Sequence, residues 1–319
     1  MSTVAETNIK PTPERGARPG ASMRSRLQDA LPKIVLAPSF AITVVFVYGF
    51  ILWTVYLSFT NSKTFPSYAI TGSRAYQRLW RWTFESDPPS SWYTSITNMG
   101  IFGFLYIFIC LALGLFLAIL LDQKIRGEGM LRPIYLYPMA LSFIVTGVAW
   151  KWFLDPGLGL EQTLHQWGWT SFHFDWIKNK DFVIYTVVIA GVWQASGFIM
   201  AMFLAGLRGI DGEIMKAAQI DGATTFQLYR RIVIPLLRPV FLSAFIVLAH
   251  LAIKSYDLVV ALTSGGPGGS AWLPSNFMYE YTFKRNEMAV GSASAVIMLM
   301  TITAIIVPYL YSELREKPR

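Results

Sequence analysis

The amino-acid sequence predicts an all-α membrane protein with six transmembrane helices and both termini in the cytoplasm. Of its 319 residues, 54% are hydrophobic and only 14% are charged, and the mean hydropathy is +0.43. An average soluble domain carries about 25% charged residues, so this composition is unusual for one. Six apolar stretches each reach roughly the 20 residues that a helix needs to cross the hydrocarbon core. The distribution of positive charge then indicates the orientation.

The six apolar stretches are interpreted, in chain order, as membrane spans. Their approximate bounds are 34–59, 99–121, 133–153, 182–206, 239–262 and 289–311. The first stretch is longer than the roughly 7–15-residue core of a signal peptide and has no small-residue cleavage site after it, so we expect a retained span. Residues 1–30 are rich in Pro, Gly, Arg and Ser and are expected to form a disordered basic cytoplasmic tail. Residues 31–315 would form the transmembrane domain, and residues 316–319 a short cytoplasmic tail.

Lysine and arginine lie mostly on one side of the predicted spans. With the N-terminus inside, most of the 27 basic residues fall in the N-terminal tail, the two inner loops and the C-terminus. This is the positive-inside distribution, and it accounts for most of the net charge of +8. A nucleic-acid partner is therefore not expected, whereas contact with membrane lipid is. The single cysteine, Cys110, allows no intramolecular disulfide.

The second of these inner loops, residues 208–239, is polar and basic but has helical character. Asp211 is a suitable N-cap for a short helix, and Glu213 in the first turn suits the positive end of the helix dipole. Ala217 and Ala218 favour the helix and are small, so a partner surface could approach them closely. These residues predict a short helix at the beginning of the loop.

The end of this short helix and the start of the next one are also marked in the sequence. Gly222 is typical of a residue that terminates a helix, and a second helix would start near Thr224 or Thr225. Pro235 and Pro239 would break that second helix before span five. The loop is therefore either an amphipathic helix at the membrane interface or a docking surface for a soluble partner.

The spacing in this loop resembles the cytoplasmic loop of bacterial ABC importer permeases. The family pattern is Glu-Ala-Ala, three residues, Gly, nine residues and Ile-x-Leu-Pro. The resemblance implies the fold of a type I ABC importer permease, in which this loop is the coupling helix that seats on an ATPase. Lys216 stands where the family usually has Glu, so that salt bridge to the ATPase is not carried over, and Glu213 or an acidic ATPase residue could compensate. The predicted coupling residues are Glu213, Lys216, Ala217, Ala218, Asp221, Gly222 and Pro235.

Other segments resemble the carbohydrate-importer branch of this family. Residues 254–257 and 262–268 are similar to a maltose-type first permease, and residues 134–141 and 192–198 are similar to glucose/mannose importer permeases. The resemblance implies a sugar substrate, first glucose or a related monosaccharide, and alternatively a disaccharide, an α-glucoside or a polyol. It also implies a bacterial inner membrane and four partners, namely a second related permease, two ATPase subunits and a periplasmic sugar-binding protein.

The sequence contains no ATP-binding motif. The pattern Gly-x-x-x-x-Gly-Lys-Ser/Thr is absent, and the glycine cluster at residues 265–269 lacks the lysine. We interpret the cluster as a turn after span five. The chain is therefore expected to be a transporter subunit and not an enzyme, with no catalytic residue, metal ligand or cofactor of its own, while Mg-ATP is bound by the partner ATPase.

Titratable residues in span five are candidates for the sugar pathway. His250, Lys254 and Asp257 are spaced to lie on one face of a continuous helix, where Lys254 and Asp257 could pair across one turn. Such a set is either a structural ion pair with a bonded histidine or a polar wall of the pathway, because buried charges in a span face a cavity or a partner. Tyr256 lies in the same segment and is included among the candidates.

Span four contributes Trp193 and Gln194 to the predicted pathway. Gln194 lies near the predicted membrane midplane, where its amide would bond either a substrate hydroxyl or a neighbouring helix. In span three, Pro138 would kink the helix or release a backbone carbonyl.

Two other classes of membrane protein fit the sequence less well. An ion-coupled secondary carrier would need intramembrane carboxylates, and Asp257 is the one plausible candidate. A membrane-embedded enzyme would need a nucleophile with a base, or metal ligands. We expect that the histidines His165, His173 and His250 do not cluster with Cys110 or with acidic residues, and the spacing of His165 and His173 fits no standard metal signature.

Overall fold

The computed structural model describes residue 33 and residues 35–85, 91–123 and 127–315. Within these ranges the regular elements are helices, and one isolated antiparallel bridge joins Thr60 to Ile70. The all-α prediction is therefore confirmed for the described part of the chain. The predicted tails, residues 1–30 and 316–319, lie outside the described residues.

The first helix, α1, runs Val35–Ser58 and is long and apolar enough to cross a membrane. A π-helical turn, Val44–Tyr48, lies within it. The chain divides into two compact units, one ending at Trp53 and the other beginning at Thr54. All the elements described below belong to the second unit.

Among its described residues, the second unit contains twelve further helices. In chain order they are α2 (Arg74–Glu85), α3 (Ser91–Asp122), α4 (Glu128–Ala140), α5 (Phe143–Phe153), α6 (Leu160–Gln166), α7 (Val183–Arg208), α8 (Gly212–Ile220), α9 (Thr225–Leu236), α10 (Arg238–Ile253), α11 (Tyr256–Thr263), α12 (Pro274–Tyr279) and α13 (Met288–Arg315). A π-helical turn, Glu280–Lys284, continues α12. The glycine cluster forms the predicted turn, with a short 3-10 segment at Pro267–Gly269.

The helix α7 is the central element of this unit. In its most apolar stretch 72% of the residues are buried, against 28% for α3 and 33% for α13. Helix α3 packs along α7, and Phe102 and Tyr106 from α3 meet Ile199 and Phe203 from α7 in one core. A helix that is apolar on all sides is buried by its neighbours. The side chains of α7 are therefore well placed to hold the surrounding helices in position.

The predicted third span is not one straight helix. Helices α4 and α5 meet at an angle of 101° across Leu141 and Ser142. Leu141 is extended, and the Ser142 hydroxyl accepts a hydrogen bond from Val145 N at 3.3 Å, which begins α5. Pro138 removes one backbone donor from the last turn of α4. Pro138 weakens the last turn of α4, and Ser142 caps the start of α5. The chain is therefore broken between the two helices, where a kink within one helix was expected.

The chain bends just before the predicted fifth span and breaks again within it. Helices α9 and α10 meet at 64° around Leu237, between the two prolines that were expected to break the chain there. The helix α10 then ends at Ile253, and α11 begins at Tyr256. The prediction of one continuous helix over residues 239–262 is therefore wrong.

Four of the described helices, α1, α3, α7 and α13, satisfy the length and hydropathy that a membrane span requires. The pairs α4 with α5 and α9 with α10 satisfy the same test when each pair is taken together. The number of candidate spans is therefore four, and it rises to six if each bent pair is one span.

Candidate functional site

The loop between α7 and α10 begins with the predicted short helix, α8. Asp211 occupies its N-cap, and the Asp211 Oδ1 accepts a hydrogen bond from Glu213 N at 2.9 Å. At the end of α7, the Arg208 side chain lies 3.7 Å from the Asp122 carboxylate at the end of α3. The beginning of the loop is therefore held both by a helix cap and by an ion pair to a neighbouring helix.

The helix α8 ends in a Schellman turn at Gly222. Ala223 N donates to Ala218 O at 3.0 Å, and Gly222 N donates to Gln219 O at 3.1 Å, while Asp221 is the C-cap. The φ of Gly222 is +77°, a left-handed conformation that costs other residues roughly 1–2 kcal/mol. A Cβ added at Gly222 would meet no atom within 4 Å. The glycine is therefore required by backbone conformation, and the space beside it is open.

The helix α9 begins directly after this turn, as predicted. The Thr224 hydroxyl accepts from Gln227 N at 3.3 Å, and the Gln227 Oε1 accepts from Thr224 N at 2.9 Å. This reciprocal pair is a capping box, which satisfies two helix-terminal donors at once. The turn between α8 and α9 is thus ordered by its own residues.

Apolar side chains on both sides of this turn in sequence are exposed. Ile220 is 86% exposed and Phe226 is 70% exposed. Ala217 is also exposed, whereas Ala218 is buried in the core. Since adjacent residues of a helix point in different directions, one of the two predicted contact alanines faces inward. We call Ala217, Ile220, Gly222 and Phe226 the docking face; Ile220 was not singled out in the sequence analysis.

Lys216 pairs within α8. Its Nζ lies 3.1 Å from Glu213 Oε1 one turn earlier, and both side chains are largely exposed. An exposed pair of this kind contributes about 0–1 kcal/mol to stability, so it can exchange partners easily. Pro235 lies in the last turn of α9, immediately before the bend into α10.

Gln194 connects α7 to the break in the third span. Its Nε2 donates to the Leu141 carbonyl at 2.8 Å, and the side chain is 3% exposed. Of the two alternatives for this amide, the structure contains the helix–helix bond. The Gln194 Oε1 is buried without a hydrogen-bond partner among the described residues, so one acceptor remains unused.

The titratable residues of the fifth span do not share one helix. His250 lies in the last turn of α10, Lys254 follows its end, and Asp257 lies in the first turn of α11; all three side chains are exposed. The Ser255 hydroxyl donates to the Leu251 carbonyl at 2.8 Å, inside the break. The break changes the register of the chain, and the described chain shows no ion pair between Lys254 and Asp257. The predicted pairing across one turn is therefore wrong, and the pathway role of these residues stays a prediction.

Two aromatic candidates lie in different settings. Trp193 is 39% exposed and packs edge-on against Trp150, with ring centroids 5.8 Å apart. Tyr256 is half-buried, with its ring centroid 5.0 Å from that of Tyr279. Each ring is thus held by a second aromatic residue while part of it remains accessible.

A cluster of side chains that the sequence did not predict lies in the segment between α5 and α7. His173 Nδ1 is 3.1 Å from Glu161 Oε1, and Phe174 N donates to Glu161 Oε2 at 3.0 Å. The backbone bond from Phe174, and after it the bond to His173, lower the pKa of the Glu161 carboxyl. His165 lies one turn after Glu161 on α6. The expectation that these histidines do not cluster with acidic residues is therefore wrong, and Glu-x-x-x-His on a helix was the available signal.

The long apolar helices are those of a multi-pass membrane protein, and the loop between α7 and α10 is ordered by helix caps. Residues 110–316 match the family described as binding-protein-dependent transport system inner membrane component. The chain belongs to this family.

Known relatives agree with this family. A probable ABC transporter permease of Pyrococcus horikoshii is 40% identical, over 92% of this chain and 100% of its own length. The xylose/arabinose import permease of Haloferax volcanii is 37% identical over 65% of this chain and 66% of its own. The trehalose/maltose transport permease of Thermococcus litoralis is 28% identical over 87% of this chain and 91% of its own. All three are named as permeases, which are transport subunits and not enzymes.

A solved structure shares the fold. It is a bacterial ABC transporter involved in the import of the acidic polysaccharide alginate, and it matches with a TM-score of 0.77 and 17% identity. The match covers 92% of this chain and 99% of that chain. The ABC importer permease fold expected from the sequence is thus confirmed.

Proposed function

We propose that this chain is a permease subunit of an ATP-driven ABC importer that moves a sugar across the membrane by alternating access. The observation that carries the proposal is the docking face on the loop between α7 and α10, where Ile220 and Phe226 are exposed on an ordered turn. Exposed apolar side chains held in a fixed geometry are typical of a surface that receives a partner. Membership of a transport-system family supports the same role.

The loop would transmit movement of an ATPase to the membrane helices at both of its ends. At the first end, Arg208 is paired with Asp122, so a displacement of α8 would reach α7 and α3 together. At the other end, α9 meets α10 at the 64° bend around Leu237. Because both termini of the loop are tied to long helices, a rigid-body shift of the docking face would change the angle between them.

The partners in this proposal are a second related permease, two ATPase subunits that bind Mg-ATP, and a sugar-binding protein on the outer side. His250, Lys254 and Asp257 are exposed in the monomer, although they lie in or beside apolar helices. Charged side chains in such a position need a polar surface or a cavity. We infer that the second permease covers this surface and completes the pathway, and we assign no cofactor to this chain itself.

Both termini are proposed to lie in the cytoplasm, with the docking face on the same side. The distribution of lysine and arginine supports this orientation. The multi-pass chain would then lie in the plasma membrane. The family description as an inner membrane component supports this location, and a bacterial inner membrane is the proposed one.

The proposed substrate is a neutral sugar, first glucose or a related monosaccharide. The names of relatives include a xylose/arabinose permease and a trehalose/maltose permease, which supports sugars as a class and keeps a disaccharide, an α-glucoside or a polyol as the alternative. Within this chain, the exposed edge of Trp193 would contact an apolar sugar face. Gln194 Oε1 is buried without a partner among the described residues, so it would accept from a sugar hydroxyl only in a state of the transport cycle that opens this part of α7.

Uptake of labelled sugars tests the proposal directly. Cells lacking this chain would be compared with the same cells after the chain is restored, using glucose first and then mannose, xylose, arabinose, maltose and trehalose. Loss and rescue of glucose uptake supports the monosaccharide assignment, and loss of another sugar moves the substrate to that sugar. If no sugar depends on the chain and no ATPase co-purifies with it, the proposed function is wrong.

A further inference from the structure

The outer segment between α5 and α7 brings together three side chains with metal-binding chemistry. One ligand atom from each of Glu161, His165 and His173 lies within 4.8 Å of the other two. Two of these residues are on α6, and the third returns to them from the chain that follows. We propose that Glu161, His165 and His173 form a binding site for a divalent transition-metal ion, with Zn²⁺ as its representative occupant.

The separations are close to those that a bound ion requires. Zn²⁺ holds nitrogen and oxygen ligands at about 2.0–2.2 Å, so neighbouring ligands of a tetrahedral ion lie about 3.3 Å apart. His173 Nδ1 and Glu161 Oε1 are 3.1 Å apart in a hydrogen bond that Nδ1 donates. A bound ion would take the place of that hydrogen, which would be released to solvent. The ring centroids of His165 and His173 are 5.6 Å apart. The largest of the three ligand-atom separations is at most 4.8 Å, so the ligands must draw closer around an ion, and the exposed His173 side chain has room to move.

Backbone hydrogen bonds already orient two of the three ligands. His165 Nε2 is 2.7 Å from the Phe172 carbonyl, which can only accept, so in the neutral ring Nε2 carries the hydrogen and Nδ1 keeps a lone pair. Phe174 N donates to Glu161 Oε2, which directs the other carboxylate oxygen toward His173. Outer contacts of this kind fix the tautomer of a ligating histidine and the orientation of a ligating carboxylate.

The ligand set indicates the class of ion. Two imidazoles and one carboxylate suit Zn²⁺ and neighbouring transition metals, whereas Ca²⁺ and Mg²⁺ prefer sites made of oxygen atoms. Three protein ligands leave a fourth position for water or for a group from another molecule. The exposure of His173 gives an ion access to the site from the outer side.

A bound ion would connect α6 to the start of α7. His173 lies between Phe172 and Phe174, and the Phe174 ring stacks on Trp176 with centroids 4.8 Å apart. Trp176 stacks in turn on Phe182, the residue that precedes α7, with centroids 5.6 Å apart. A bound ion would therefore hold the segment between α5 and α7 rigidly against the start of the central helix α7.

Zinc titration of the full-length chain in detergent tests the proposal. After treatment with a chelator, the wild-type chain and its variants would be titrated with Zn²⁺ in competition with a chromophoric indicator at neutral pH. We expect one tight site per chain, with the affinity lowered at least about tenfold in His165→Ala and in His173→Ala. Gln162→Ala, an exposed change on the same helix, is the matched control and should keep wild-type affinity.

A second variant separates a metal site from a simple hydrogen-bonded pair. His173→Cys removes the imidazole that bonds Glu161 but supplies a thiolate, which is itself a zinc ligand. It should recover tight binding relative to His173→Ala, and X-ray absorption should then show a sulfur neighbour at about 2.3 Å. The native Cys110 is buried and would be replaced by serine in this experiment. Absence of tight zinc binding by the wild type, or equal affinity in all the variants, would overturn the proposal.

Discussion

The side chain of Gln194 donates a hydrogen bond of 2.8 Å to the backbone carbonyl of Leu141. This bond joins the middle of the buried helix α7 to the point where the third span breaks. In a membrane interior no water replaces a lost partner, so the carbonyls released by a helix break need donors from neighbouring helices. Gln194 supplies such a donor and keeps its own Oε1 without a partner among the described residues.

Replacement of Gln194 by leucine should both weaken the fold and impair transport. Gln194→Leu keeps most of the side-chain volume but removes the donor to Leu141, which should lower the free energy of unfolding by roughly 1–3 kcal/mol. If Oε1 also contacts the sugar, the apparent KM for uptake should rise in the protein that remains folded. Thermal unfolding in detergent and uptake kinetics measure the two effects separately.

Thr186→Val is the control for this change. Its hydroxyl is buried and donates to Val183 within the same helix, so the substitution removes a polar group from α7 without cutting a bond between helices. Equal transport kinetics in Gln194→Leu and Thr186→Val would remove Gln194 from the predicted pathway.

Substitution of Gly222, which lies in the Schellman turn, should impair stability and uptake far more than the same substitution of Gly212 in the same loop. Gly222→Ala should cost roughly 1–2 kcal/mol of local stability, because φ is +77° there. Gly222→Asp should abolish uptake while the chain remains in the membrane, since it adds a charge to the docking face. Gly212→Ala and Gly212→Asp are matched controls at the first residue of α8, where a Cβ would also meet no atom within 4 Å. If Gly222→Asp transports like wild type, the docking face is assigned to the wrong surface.

Close contact between α4 and α7 depends on Gly197. A Cβ at this position would overlap the Tyr135 carbonyl oxygen, so Gly197→Ala must push α4 away from α7. We expect a loss of at least about 1–3 kcal/mol, typical of overpacking, and a lower yield of folded protein. Gly100→Ala on α3 has open space around it and should be neutral or slightly stabilising. Thermal unfolding of the two variants measures this difference in stability. Equal unfolding temperatures would contradict the packing of α4 against α7.

The break between α10 and α11 predicts that Lys254 and Asp257 act independently. A direct ion pair would make their effects on stability non-additive by about 0.5–3 kcal/mol in a double-mutant cycle. Lys254 follows the end of α10, Asp257 lies in the first turn of α11, and the two side chains form no ion pair. The effects of Lys254→Ala and Asp257→Ala should therefore be additive in the double variant within about 0.5 kcal/mol. A larger coupling energy would show that the residues pair in the assembled importer.

The inner loop could be predicted almost residue by residue because its structure depends on local rules. Asp211 caps α8, Gly222 ends it and a second helix starts after Thr224, each through hydrogen bonds to residues a few positions away. Such contacts are specified by the neighbouring sequence alone. The burial of Ala218 was missed because it depends on how α8 lies against the core, which local rules do not contain.

The breaks in the third and fifth spans show the limit of hydropathy. Four of the six predicted segments contain a single helix long and apolar enough to cross a membrane. In the third segment, a mean hydropathy is insensitive to a two-residue interruption such as Leu141 and Ser142. Helical periodicity places His250, Lys254 and Asp257 on one face only if the helix is continuous. Because α10 ends at Ile253, that prediction is wrong. The site around Glu161 was missed for a related reason, since the return of His173 is a tertiary contact.

Cross-linking from the docking face is the most direct test of the central claim that this loop seats on an ATPase. Ala217 would be replaced by cysteine in a chain carrying Cys110→Ser, and a bifunctional reagent would be added to cells that express the complete importer. We expect an adduct between Ala217→Cys and an ATPase subunit. Mass spectrometry would identify the subunit from a peptide that contains the phosphate-binding motif. Leu158→Cys is equally suited for reaction, because the native side chain is 84% exposed in the outer segment, and should give no such adduct. If Ala217→Cys does not cross-link to an ATPase, or if both positions cross-link equally, the loop between α7 and α10 does not seat on an ATPase as proposed.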